Sequence, residues 1–168
     1  MEHYLKTACL SLGSNLGDRA GYIERALAAL AAAGVRVRRR SALYESEPVG
    51  MNPQRWFVNC LAEVETELMP LRLLRVLKRI ERQLGRSSPH GIQPAARRID
   101  IDIVYYGRRV VRMPELTIPH PRLAERRFVL EPLRELAPDW RHPVTSLTPA
   151  EMLAALEDHA AVRRLPRS

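Results

Sequence analysis

The chain has 168 residues, 46% of them apolar, with no low-complexity tract, which fits one compact domain and excludes fibrous and disordered classes. A net charge of +8 and a sequence pI near 10.3 attract anions, whether nucleic acid, acidic membrane or a polyphosphate ligand. The apolar-leaning run at residues 26–35 is far shorter than the roughly 20 residues that cross a bilayer, and the opening Met1, Glu2, His3 and Lys6 lack the layout of a secretory leader, so a cytoplasmic location is expected.

Residues 4–12 read as a strand that carries Cys9, and the break Gly13-Ser14-Asn15-Leu16-Gly17-Asp18 ends on an acidic helix starter. Ile23, Ala26, Leu27, Leu30 and Ala31 recur at helical spacing, and Gly34 stands where a left-handed terminal residue is wanted. Residues 35–44 and 56–64 favour strands. Between them residues 45–53 form a loop rich in breakers, of a length typical of binding elements. Cys60 lies in the second of these strands, and its distance from Cys9 suits neither zinc nor a redox pair, so both thiols are expected buried and reduced. Pro70 opens a second helix with an apolar stripe of Leu73, Leu74, Leu77, Ile80 and Leu84, a basic opposite face, and a stop at Gly85. A loop over residues 86–98, with Pro89, Gly91 and Pro94, leads to a strand at 99–106 turned by Gly107. The order β-α-β-β-α-β matches an α+β, ferredoxin-like unit in which two helices cover one face of an antiparallel sheet. Thr148-Pro149-Ala150-Glu151 has the form of a capping box that starts a further, covering helix, and residues 163–168 are expected to fray. A single domain over residues 1–168 is expected, with a core at about 4–158 and a tail at about 159–168.

Chemistry concentrates in Arg98-Ile99-Asp100-Ile101-Asp102-Ile103, where alternation puts the isoleucines on one sheet face and both aspartates on the other. Residues two apart in a strand are separated by roughly 7 Å, and such carboxylates can lean together onto hard cations, magnesium foremost. Two ions about 4 Å apart clamp a polyphosphate during in-line displacement. The bland reading is an edge strand whose acidic face meets water. Arg97 and Arg98 beside the pair, with Arg86, His120, Arg122, Arg126 and Arg127 in segments able to approach, favour a nucleotide triphosphate.

Three ordered segments, Leu12-Gly13-Ser14-Asn15-Leu16-Gly17-Asp18, Arg98-Ile99-Asp100-Ile101-Asp102-Ile103 and Pro119-His120-Pro121-Arg122-Leu123, resemble the hydroxymethyl-dihydropterin pyrophosphokinase family. The similarity continues through Arg127-Phe128-Val129-Leu130-Glu131-Pro132-Leu133 and spans about residues 5–138. It implies that ATP donates its β- and γ-phosphates together to the hydroxymethyl oxygen of the pterin and that AMP leaves. It further implies two magnesium ions on Asp100 and Asp102, with Arg86 and Arg97 as catalytic partners. Glu81, Arg86, Arg97, Ile103, His120 and Arg126 would approach ATP, although Glu81 could equally be an ion-pair partner of Lys78 on the same helix. Phe57 and Phe128 would stack on the pterin, Asn59 would read its polar edge, and Ser46 and Val49 would touch it from the loop. Catalysis would rest on positioning and charge stabilisation, with no protein base assigned. The expected partners are ATP and hydroxymethyl-dihydropterin alone, on a monomer that binds neither nucleic acid nor membrane.

The resemblance has gaps. Gln93-Pro94-Ala95-Ala96-Arg97 replaces the family's Arg-Trp-Gly-Pro-Arg run, Lys78 stands where glutamine is frequent, and Pro121 where some members have tyrosine. Gly13 and Gly17 read as structural, because no P-loop lysine follows them. Two alternatives remain: a catalytically weak or inactive relative that binds pterin or nucleotide, and an RNA-binding module of the same element order, whose basic-glycine-aromatic motif is missing.

Overall fold

A computed structural model describes residues 4–48, 56–85 and 98–167. At its centre lies strand β1 (Lys6–Ser14), buried from Ala8 onwards, with small Ser11, Gly13 and Ser14 among its apolar residues. It pairs antiparallel with β4 (Phe57–Thr66) on one side and β5 (Asp100–Tyr106) on the other. On its far side β4 takes β2 (Arg36–Arg40) and β3 (Tyr44–Ser46), and β3 in turn takes β8 (Val162–Arg164), giving the order β5-β1-β4-β3-β8 with β2 also on β4. A small ribbon of β6 (Val111–Arg112) and β7 (Thr117–Ile118) stands apart.

Helices α1 (Arg19–Ala32) and α2 (Pro70–Gln83) close one face of the sheet, where Leu10, Leu12, Ile23, Leu30, Leu73, Leu77 and Ile101 share a core. The other face is partly closed by α3 (Arg127–Leu136) and α4 (Pro149–Ala155), which bury Leu61, Val104, Tyr105, Leu130, Leu133 and Met152. Each such fully buried side chain stabilises the fold by roughly 1.5–3 kcal/mol relative to exposure. The local helix signals hold: the Asp18 carboxylate accepts the Gly21 N–H at 3.1 Å, the Thr148 hydroxyl accepts the Glu151 N–H at 3.3 Å, and Gly34 and Gly85 have φ of 80° and 89°.

Four features differ from expectation. The strand expected over residues 35–44 divides at Ser41, whose hydroxyl accepts the Leu61 N–H at 2.9 Å and so takes the place of a ladder carbonyl. Glu45 and Ser46, expected in the loop, belong to β3. Helix α3 stands where none is expected, because Pro132 sits inside it and removes a backbone donor. Residues 163 and 164 do not fray, because β3 offers a free edge and Glu45 and Glu135 receive Arg163 at 3.0 Å and Arg164 at 2.7 Å.

The surplus arginines are of two kinds. On β2, Arg38, Arg39 and Arg40 reach Glu65, Glu63 and Glu24. On α2, Arg72, Arg75, Arg79 and Arg82 are exposed and make no ion pair among the described residues. No described helix is long and apolar enough to cross a membrane.

Candidate active site

The strand registers draw one row of side chains across the sheet. Asp100 lies opposite Gly13, Gly13 opposite Asn59, and Asn59 opposite Tyr44. Facing residues of paired strands project to the same side. The flanking rows add Asp102 opposite Ser11, and Phe57 opposite Ser46. Asp100 and Asp102 are half-buried while Ile101 and Ile103 are buried in the core behind them, as alternation predicts. The acid pair therefore shares a face with Asn59, Phe57 and Ser46, and only glycine separates the two groups. A Cβ at Gly13 would lie 2.9 Å from Asn59 Oδ1 and 3.8 Å from Phe57 Cδ1, so the floor between them is kept flat by the missing side chain. Gly13 thus belongs to the site; the register supplied this, while the turn motif alone suggested only tight backbone.

A bulge brings in the next group. Leu10 opposes Ile103 and Cys9 opposes Tyr105, so Val104 is the extra residue of β5, and its carbonyl accepts the His120 N–H at 2.9 Å. His120 Nδ1 in turn accepts the Arg122 N–H at 3.1 Å, which leaves the ring proton on Nε2, 4.0 Å from Asp102 Oδ2. Arg126 places Nη1 3.9 Å from the same oxygen and its guanidinium 5.5 Å from the centre of the Phe128 ring. His120, Arg126 and Phe128 are thereby gathered with the acid pair.

Burial, and next the charge of Asp100, push the Asp102 carboxyl up to about 6. Burial, followed by the charges of Arg126 and Arg122, pushes His120 down to about 4, so the imidazole is a neutral donor near neutral pH. Two half-buried carboxylates on one strand face suit a hard cation between them. Among the described residues no group of three or more His, Cys, Asp or Glu could cage a metal by itself. The donor set therefore fits magnesium, which binds through one or two carboxylates and completes its shell with water and phosphate oxygens.

Other expected residues are placed differently. Glu81 is 1% exposed, and its Oε1 accepts the Ile101 N–H at 2.8 Å while Oε2 lies 3.5 Å from Lys78 Nζ. It satisfies the outer edge of β5 between the two aspartates and so positions them. The Ile103 side chain is core, leaving only its main chain for a ligand. Asn59 is 3% exposed and donates from Nδ2 to Ser46 Oγ at 2.7 Å. Arg86, Arg97 and Val49 lie outside the described residues, as does the departure at residues 93–97.

The sequence model of 7,8-dihydro-6-hydroxymethylpterin-pyrophosphokinase (HPPK) matches residues 9–138. The chain belongs to the HPPK family. A relative from Bacillus subtilis, 2-amino-4-hydroxy-6-hydroxymethyldihydropteridine pyrophosphokinase, is 39% identical over 140 residues, 83% of each chain. Folic acid synthesis protein fol1 of Pneumocystis carinii is 43% identical over 157 residues, 94% of this chain. This chain spans only 21% of that relative's length and 24% of a Pisum sativum folate synthesis bifunctional protein. Plasmodium falciparum HPPK-DHPS has a similar fold, with a TM-score of 0.71 at 16% identity, covering 92% of this chain and 46% of the other. The HPPK match includes β1 from Cys9 onwards, the acid pair, His120, Arg126 and α3, but stops short of α4 and β8.

Proposed function

We propose that the chain transfers the terminal diphosphate of ATP to the hydroxymethyl group of 6-hydroxymethyl-7,8-dihydropterin and releases AMP, a step of folate biosynthesis. The observation that carries this reading is the common face of Asp100, Asp102, Gly13, Asn59 and Phe57, where a polyphosphate and a flat heterocycle meet. Family membership and the named Bacillus subtilis relative support it.

In this reading Asp100 and Asp102 hold magnesium, two ions in number, which when bound offsets phosphate charge and acidifies the attacking hydroxyl. Arg126 and the Nε2–H of His120 stand on the Asp102 side and donate to phosphate oxygens; Arg86 and Arg97 belong to the same set. Phe57 and Phe128 stack on the pterin, Asn59 answers its polar edge, Ser46 fixes the Asn59 amide, and Val49 adds a contact. Glu81 keeps β5 straight between its two carboxylates. These residues bind, orient and neutralise charge, which is most of what phosphoryl transfer asks of a protein.

The sheet order β5-β1-β4 with β2 and β3 side by side beyond β4, and α1 and α2 on one face, supports a ferredoxin-like core. With α3 and α4 over the opposite face, little open sheet remains for RNA, so the RNA-binding alternative loses ground. We read the chain as a single domain over residues 1–168, monomeric and cytoplasmic, with no nucleic acid or membrane partner; its two buried free cysteines suit reducing surroundings.

The test is AMP release from ATP, magnesium and hydroxymethyl-dihydropterin. Asp100→Ala and Asp102→Ala are each expected to lower turnover by about 10²-fold or more while the circular dichroism stays native. Near-native turnover in either variant would remove the metal assignment, and absence of AMP with the unaltered chain would remove the activity.

A further inference from the structure

The last strand reaches back to the pterin-facing end of the site. Along β3, Ser46 stands beside Val162, Glu45 beside Arg163 and Tyr44 beside Arg164. The contact runs on at both ends: the Leu165 N–H donates to the Leu43 carbonyl at 2.8 Å, and the Glu47 N–H to the Ala161 carbonyl at 3.0 Å. The Glu47 carboxylate also accepts the Ala161 N–H at 3.1 Å.

Side chains add a second tie. Arg163 donates from Nη2 to Glu45 Oε1 at 3.0 Å and holds its guanidinium 5.0 Å from the centre of the Trp56 ring. From the other side Arg19, the first residue of α1, donates from Nη1 to the Trp56 carbonyl at 2.7 Å and lies 3.9 Å from Glu45 Oε2. These four residues surround a hollow of about 420 Å³. Glu45 and Trp56 are the chain neighbours of Ser46 and Phe57, so the end of β3 and the start of β4 are bolted together where they carry ligand-facing side chains.

The Arg163 side chain is 65% exposed, against 14% for Glu45. So exposed an ion pair adds little to global stability. Its value is directional, because one planar fork fixes a carboxylate with its edge and an indole with its face. We propose that Arg163, carried by the C-terminal strand, is a positioning residue: it holds Glu45 and Trp56 so that Ser46, Asn59 and Phe57 keep the spacing a pterin needs. This rests on the pterin reading of that face.

The experiment is steady-state kinetics on the full chain with Arg163→Ala and Arg163→Lys, beside amide hydrogen exchange without substrate. Arg163→Ala should raise the KM for hydroxymethyl-dihydropterin about tenfold, leave kcat and the KM for ATP within about twofold, and leave Tm unchanged. Arg163→Lys, which keeps charge but not the fork, should fall between. Exchange at residues 44–46 and 57–59 should quicken by about tenfold in Arg163→Ala, a local opening with no global counterpart. An unchanged pterin KM overturns the proposal, as does equal weakening of ATP and pterin. If the unaltered chain fails to bind pterin, the functional reading is what fails, and the exchange result alone decides whether Arg163 holds the β3 and β4 ends.

Discussion

At the scale of the residue, the smallest side chain has the sharpest consequence. A methyl group at Gly13 would meet Asn59 Oδ1 at 2.9 Å, tighter than carbon and oxygen tolerate, so the amide must turn away from Ser46 or the strands must part. Gly13→Ala is therefore expected to raise the pterin KM by about tenfold, with a smaller effect on ATP, as read by steady-state kinetics and direct pterin titration. An unchanged pterin affinity would mean that the floor is not used. Asp100 and Asp102 were legible because period-two alternation in an apolar strand is a local signal that needs no partner. Glu81 was not, since helical spacing alone does not tell that a carboxylate is buried against an N–H on a strand that follows it by 20 residues. The neutrality of His120 was likewise hidden, because it comes from burial and from two arginines that the 3-10 turn at Leu123–Glu125 and the start of α3 bring close.

At the scale of the element, signals written within a few neighbours survived and those that depend on distant chain did not. Asp18, Pro70 and Thr148 marked three helix starts through their own side chains or ring. The apolar spacing of Val129, Leu130, Leu133 and Leu136 in α3 was present too, but Pro132 in its midst argues against a helix until a sheet is available to bury it. Strands β3 and β8 have only three residues each and exist through each other and β4. Because α3 covers Tyr105 and Val104 and leads with Arg126 and Phe128, its packing should govern the site as well as stability. Leu133→Ala, at a position with no exposure, should cost about 2–5 kcal/mol in urea denaturation. A cost below about 1 kcal/mol would show that the α3 layer is not part of the cooperative core.

At the scale of the whole molecule, ligand and fold should be linked. If Asp100 and Asp102 hold the metal as proposed, with no third carboxylate or imidazole to complete a cage among the described residues, magnesium alone should change the melting temperature little, whereas magnesium and ATP together should stabilise the chain by about 2.7 kcal/mol at a hundred times the dissociation constant. Thermal shift with and without a chelator checks this, and Asp102→Asn should abolish the difference. Metal-independent stabilisation by ATP would place the nucleotide away from β5.

The arginine flank of α2 gives the molecule an electrical polarity. Arg72 to Arg82 extends about 15 Å along the helix, and its exposed guanidiniums project a positive field beyond the surface, over a Debye length of about 10 Å at 0.1 M salt. Glu81 ties the last turn of this helix to the strand of the acid pair, while the arginines stand on the outer side of the helix, so their pull on a polyanion acts at long range and not by contact at the carboxylates. Encounter with a polyphosphate such as the proposed nucleotide would then slow as ionic strength rises.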